Sequence, residues 1–154
     1  PQTAYQMTSI LEGAIQRGTG KRLRDLNLQL AGKTGTTNNN TDTWFIGFTS
    51  NLVIGVYVGH DTPKRLGKYE TGSKTALPIF KEFIAEAVTK SDSRPFKAAE
   101  GIIMMVVDPR TGLKAKFSSK NTIIEVYKNQ NVIEGKVQHA NNDRLDTNNI
   151  LKFY

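Results

Sequence analysis

The chain has 154 residues, with 38% hydrophobic and 23% charged side chains, which fits one globular body with a buried core and excludes a disordered or low-complexity chain. Its formal charge of +7 comes without a long basic run, so nucleic acid is not an expected partner, although a basic surface suits an anionic polymer or membrane face. There is no cysteine, which removes disulfide, zinc–thiolate and thiol-nucleophile chemistry, and no apolar run nears the ~20 residues of a membrane span.

Thr3-Ala4-Tyr5-Gln6 has the spacing of a capping box, with Thr3 as N-cap. Met7, Ile10, Leu11, Ala14 and Ile15 then recur at helical spacing and predict a helix over 3–17 with Gly18 just beyond its end. Arg17 to Arg22 is glycine-rich and basic but lacks the full Walker pattern, so it reads as a loop.

Ala31-Gly32-Lys33-Thr34-Gly35-Thr36-Thr37 is the stretch on which the chain turns. Thr34 and Thr36 share the period of a strand, so their hydroxyls face one side and Lys33 and Gly35 the other. A glycine within such a pattern marks close approach of a ligand or another backbone. Hydroxyls, an ammonium and a gap together describe an edge strand suited to an extended anionic ligand. Two further strands are predicted at 43–49 and 52–59, joined by a two-residue turn at Ser50-Asn51 in which Asn tolerates positive φ. Asn38-Asn39-Asn40 is another turn. Trp44 is expected in the core beside the site. His60 and Asp61 are neighbours that point apart on extended backbone, and His139 has no metal-ligand spacing, so neither histidine enters a site and no metal or cofactor is expected.

Thr71-Gly72-Ser73-Lys74 reads as a flexible connection into a helix over 75–89. Its apolar stripe is Leu77, Phe80, Phe83 or Ile84, and Ala87 or Val88, with Pro78 in the first turn and the helix at 3–17 as packing partner. A linker at 91–96 separates residues 1–90 from a small β-rich extension over 97–128. That extension holds an apolar run at 101–107, a turn at 108–112 and strands near 113–117 and 122–127. Residues 129–154 read as a polar tail. The expected class is α+β, an antiparallel sheet flanked by helices, with the β-rich extension at its C-terminal end.

Lys33-Thr34-Gly35-Thr36-Thr37 resembles the Lys-Thr-Gly active-site motif of penicillin-binding proteins. The following Asp42-x-Trp44-Phe45-Ile46-Gly47-Phe48, Gly55-Val56-Tyr57-Val58-Gly59, Thr71-Gly72 and Ala76-Leu77-Pro78-Ile79-Phe80 occur in the order of the class A, bifunctional members of that family. The similarity covers about residues 1–90 strongly and 91–130 loosely. It implies the C-terminal part of a β-lactamase/transpeptidase-like fold. The implied activity is D,D-transpeptidation: a serine attacks the D-Ala-D-Ala bond of a peptidoglycan stem peptide, the acyl-enzyme passes to an amine of a neighbouring stem, and β-lactams trap the serine. Catalytic roles are thereby implied for Lys33, in the proton network, and for Thr36, whose N–H is an oxyanion donor. Substrate contacts are implied for Thr34, Gly35, Thr36 and Thr37, the Thr34 and Thr36 hydroxyls holding the terminal carboxylate.

The family's Ser-x-x-Lys motif occurs nowhere in the chain, and Ser119-Lys120-Asn121, which matches its Ser-x-Asn pattern, follows Lys33 instead of preceding it. The expectation is therefore a piece of a transpeptidase that lacks its nucleophile and is inactive alone, from a parent anchored in the bacterial inner membrane outside this piece and facing the periplasm. An uncovered apolar face is expected too, hidden in a homodimer or by the rest of the domain as another chain. The alternatives are a related serine β-lactamase or D,D-carboxypeptidase, and a non-enzymatic cell-wall binding module.

Overall fold

A computed structural model describes residues 1–91, 93–115 and 121–129. The chain is α+β and divides into two compact units, one of residues 7–97 and one of residues 1–6 with 98 onward. Helix α1 is Gln2–Gln16, strands β1, β2 and β3 are Ala31–Thr36, Asp42–Phe48 and Val53–Gly59, helix α2 is Ala76–Ala87, and β4 and β5 are Ile102–Val107 and Ile123–Lys128.

In the unit of residues 7–97, β1, β2 and β3 form an antiparallel sheet in that order. Gly35 lies opposite Trp44 and Trp44 opposite Tyr57, while Thr34 lies opposite Phe45 and Phe45 opposite Val56. The period-2 pattern of β2 sorts its residues: Thr43, Phe45 and Gly47 are buried, Trp44 and Ile46 exposed. Helix α2 lies on the inner face and buries Leu77, Phe80 and Ile84 against Phe45, with Ile15, Leu23, Leu30 and Val88 completing the core. Each such side chain contributes roughly 1.5–3 kcal/mol on leaving water. Phe45 and Phe80 meet with ring centroids 4.6 Å apart. Gly47 is small for this reason, since a Cβ there would lie 2.6 Å from the Phe80 ring.

Several expectations change. The chain is already helical at Gln2, the Pro1 carbonyl accepting from the Tyr5 N–H, so Thr3 is inside the helix and caps nothing. Met7 and Ile10 are 50% and 58% exposed, so the predicted face of α1 is fully buried only at Ile15, with Leu11 and Ala14 half-buried. The principal partner of α2 is the sheet, and its stripe runs through Ile84 and Val88 while Phe83 stays exposed. A short 3₁₀ segment, Lys21–Leu26, occupies part of the expected loop and buries Leu23. The turn at Ser50-Asn51 forms without positive φ: Thr49 donates its N–H to the Leu52 carbonyl, and its Oγ1 accepts from the Leu52 N–H. At the other turn Asn40 does take positive φ, 53°. Trp44 lies on the outer face, 42% exposed and 4.9 Å from the Tyr57 ring. The core beneath is filled from the opposite face by Phe45, and a residue next to it in a strand has to point away. Ile46, Val53 and Tyr57 are also exposed, so the sheet presents apolar side chains outward as anticipated.

In the other unit β4 and β5 pair antiparallel. The turn after β4 has Gly112 at φ 67° and the Asp108 carboxylate accepting from the Arg110 N–H. Of the strand expected near 113–117, Lys114 makes a single bridge to Val107 and Leu113 and Ala115 lie in no strand; residues 116–117, His139, the tail from 130 and most of Ser119-Lys120-Asn121 lie outside the described residues.

Candidate active-site wall

The site is built on β1 because β1 is the outer strand of its sheet. Thr37 donates its N–H to the Asp42 carbonyl, which fixes the parity: odd-numbered residues of β1 turn their backbone groups toward β2, and Gly32, Thr34 and Thr36 turn theirs away. The Thr36 N–H and the Thr34 carbonyl therefore line an edge that no described strand occupies.

Side chains add to this edge. Lys33 leaves the outer face and bends round it, so that Nζ donates to the Thr34 carbonyl at 2.9 Å and to Thr34 Oγ1 at 3.4 Å. The ammonium and the Thr34 hydroxyl, which period alone puts on opposite faces, thus meet at the edge. Thr34 Oγ1 is also 2.9 Å from Thr19 Oγ1. Thr36 Oγ1 accepts from the Gly72 N–H at 3.1 Å, which leaves the hydroxyl proton of the exposed Thr36 able to donate outward. Among the described residues no carboxylate pairs with Lys33, so the edge keeps its positive charge.

Gly35 and Thr37 differ from their neighbours. A Cβ at Gly35 would stand 3.2 Å from the Trp44 Cβ, so its bareness makes room for the neighbouring strand on the outer face. The Thr37 hydroxyl closes the tip of the β1–β2 hairpin, accepting from the N–H groups of Thr41 and Asp42 at 3.1 and 3.0 Å. Beside it Tyr57 donates to Asp42 Oδ1 at 2.8 Å, and that bond raises the phenol's pKa above its usual value.

Sequence reasoning missed Thr19 and Gly72, which are 15 and 36 residues away from the hydroxyls they touch. No local period announces such contacts. The 71–74 connection is also held firmly instead of being flexible. Thr75 Oγ1 lies 2.6 Å from the buried Thr43 Oγ1, the Arg22 guanidinium donates to the Ser73 carbonyl, and Gly72 sits so close to β1 and β2 that a Cβ would fall 2.4 Å from the Trp44 carbonyl oxygen.

An edge with an outward N–H, hydroxyl donors and an unpaired ammonium can bind an extended chain ending in a carboxylate and stabilise negative charge on a carbonyl oxygen. Residues 1–85 match the family model described as the penicillin binding protein transpeptidase domain. Penicillin-binding protein 1A of Rickettsia conorii is 46% identical over 144 residues, covering 92% of this chain and 18% of the relative. The protein of that name from Pseudomonas aeruginosa is 41% identical over 130 residues, covering 84% and 16%. The 2.6 Å crystal structure of penicillin-binding protein 1A from Haemophilus influenzae superposes with a TM-score of 0.72 at 30% identity, over 82% of this chain and 20% of that one. The chain thus spans about a fifth of the length of the proteins it matches.

Proposed function

This chain belongs to the penicillin-binding protein transpeptidase family, and from that membership we propose that β1 is the carboxylate-binding and oxyanion-binding wall of a peptidoglycan D,D-transpeptidase site. The observation that carries the reading is that the outward Thr36 N–H, the Thr34 and Thr36 hydroxyls and the Lys33 ammonium at Thr34 all stand on β1, whose outer edge no described strand pairs. A stem peptide ending in D-Ala-D-Ala adds to this edge as an extra strand, its terminal carboxylate received by the two hydroxyls beside Lys33. As a serine attacks the penultimate carbonyl, the Thr36 N–H holds the developing oxyanion, a contribution of about 2.7–4 kcal/mol for one such donor. Lys33 raises the local potential and joins the proton network. The absent side chain of Gly35 eases approach to the strand, and Thr37 shapes the tip through its turn bonds. A β-lactam occupies the same edge.

No helix among the described residues is long and apolar enough to cross a membrane; we place the site on the periplasmic side of the inner membrane, the anchor lying in other parts of the parent. The outward apolar residues of the sheet, Trp44, Ile46, Val53 and Tyr57, are assigned to contact with the rest of the domain or a second copy. The nucleophilic serine comes from outside this sequence, so the chain alone is inactive. The test is acylation by a fluorescent penicillin, followed on a denaturing gel. A complete transpeptidase domain carrying this chain becomes labelled, and the 154-residue chain alone stays dark. A covalent adduct on the isolated chain overturns the reading.

A further inference from the structure

The connection between β3 and α2, residues 60–75, is basic and displays an aromatic ring. It carries Lys64, Arg65, Lys68 and Lys74 against Asp61 and Glu70. None of these four cations is ion-paired among the described residues. Tyr69 is 65% exposed between two of them, with the Lys68 and Lys74 ammonium groups 5.4 and 5.7 Å from its ring centroid. An exposed ring flanked by two cations offers a hydroxyl and two charged donors to one ligand.

This connection is fastened to the tip of the β1–β2 hairpin. Leu66 donates its N–H to the Asn40 carbonyl, Asn40 Nδ2 donates to the Glu70 carbonyl, and Gly72 holds Thr36. A ligand chain added to the β1 edge with its carboxylate at Lys33 and Thr34 continues past Thr36 toward that tip. At about 3.3 Å per extended residue, a side chain a few residues before the reacting end arrives at the connection.

We propose that Lys68, Tyr69 and Lys74 form a second recognition element for the ligand, binding a carboxylate borne by the peptide chain a few residues ahead of its scissile bond. The inference rests on the transpeptidase reading of β1. The net positive charge left by four cations against two carboxylates adds nothing for a neutral peptide, whereas a second anion on the ligand gains from it, weakly at this exposure and less as salt rises.

The experiment uses a complete transpeptidase domain carrying this chain and two synthetic peptides ending in D-Ala-D-Ala. They are identical except that a carboxylate two to four residues before the scissile bond is a carboxamide in the second. The wild type favours the carboxylate peptide through a lower KM, and the preference shrinks with added sodium chloride. The double variant Lys68→Gln/Lys74→Gln lowers that preference about three- to tenfold, while Lys90→Gln, another exposed cation, leaves it as it was. Equal preference in the wild type and double variant overturns the proposal, as does an equal loss with both peptides. So does a double variant that loses only cosedimentation with anionic lipid vesicles. Labelling of the wild type by a fluorescent penicillin, read in parallel, tests the transpeptidase reading on its own.

Discussion

The backbone N–H of Gly72 donates to the Thr36 hydroxyl oxygen at 3.1 Å, and this one bond joins the start of the α2 segment to the edge of the sheet. It occupies an acceptor position of the hydroxyl and leaves its proton for a ligand. A side chain at Gly72 would meet the Trp44 and Gly35 carbonyl oxygens at 2.4 and 2.6 Å. Gly72→Ala is therefore expected to push the segment off β1, lowering stability by about 1–3 kcal/mol and slowing β-lactam acylation in the complete domain. Gly55→Ala, with only Ile46 at 3.9 Å, is the tolerated comparison. Thermal melts and acylation rates of the two variants check this, and equal behaviour would refute it.

Thr36 and Thr37 are adjacent and do different work. On the proposed reading, in which the Thr36 hydroxyl receives the ligand's carboxylate, Thr36→Val removes a charge-assisted hydrogen bond of about 1.5–3 kcal/mol, so acylation by a carboxylate ligand should fall roughly ten- to a hundredfold, with Thr36→Ser retaining most of the rate. Thr37→Val strips the acceptor from the Thr41 and Asp42 N–H groups, so its cost of about 1–3 kcal/mol should appear as lost stability with a smaller loss of rate. Rates and melting curves for the three variants, each with a ligand whose terminal carboxylate is an amide as control, separate the two roles. The Thr36→Val penalty should shrink for the amide.

Glu12 on α1 supplies a pH test. Burial pushes its carboxyl up to about 7 from its ordinary value of 4.5. The folded state therefore keeps a proton that the unfolded chain has lost between these values, and stability falls as pH rises from about 4.5 to about 7. Because the group is partly open to solvent, the loss is on the order of 1–2 kcal/mol. Glu12→Gln should remove this pH dependence and be more stable than the wild type at pH 8, with little difference at pH 4. Denaturant titrations at both pH values decide it.

The core prediction concerns Phe80. It and Phe45 are fully buried and in ring contact, so Phe80→Ala should cost about 3–5 kcal/mol. Phe83→Ala, at a position 54% exposed, should cost far less. A chemical-denaturation comparison that ranks them the other way would mean that α2 is rotated.

The three strands of the sheet and the helix that packs on it are legible in the residue order. Alternation over Asp42–Phe48 places Phe45 inward in the same way that it places Trp44 outward, and the short connection at Ser50-Asn51 fixes the pairing of β2 with β3. The run from Lys33 to Thr36 puts an ammonium, two hydroxyls and a glycine in four consecutive residues, legible without a partner. The expectation of Trp44 in the core runs against that alternation. Tertiary structure alone decided whether Ile84 or Phe83 faces the sheet, that Lys33 reaches round the edge to Thr34, and that Thr19 and Gly72 complete the wall. The reason is physical. Period records which side of an element is apolar, because each residue is fixed relative to its own neighbours. The group that stands across from that side is brought by chain closure over tens of residues, and nothing local in the sequence encodes its arrival.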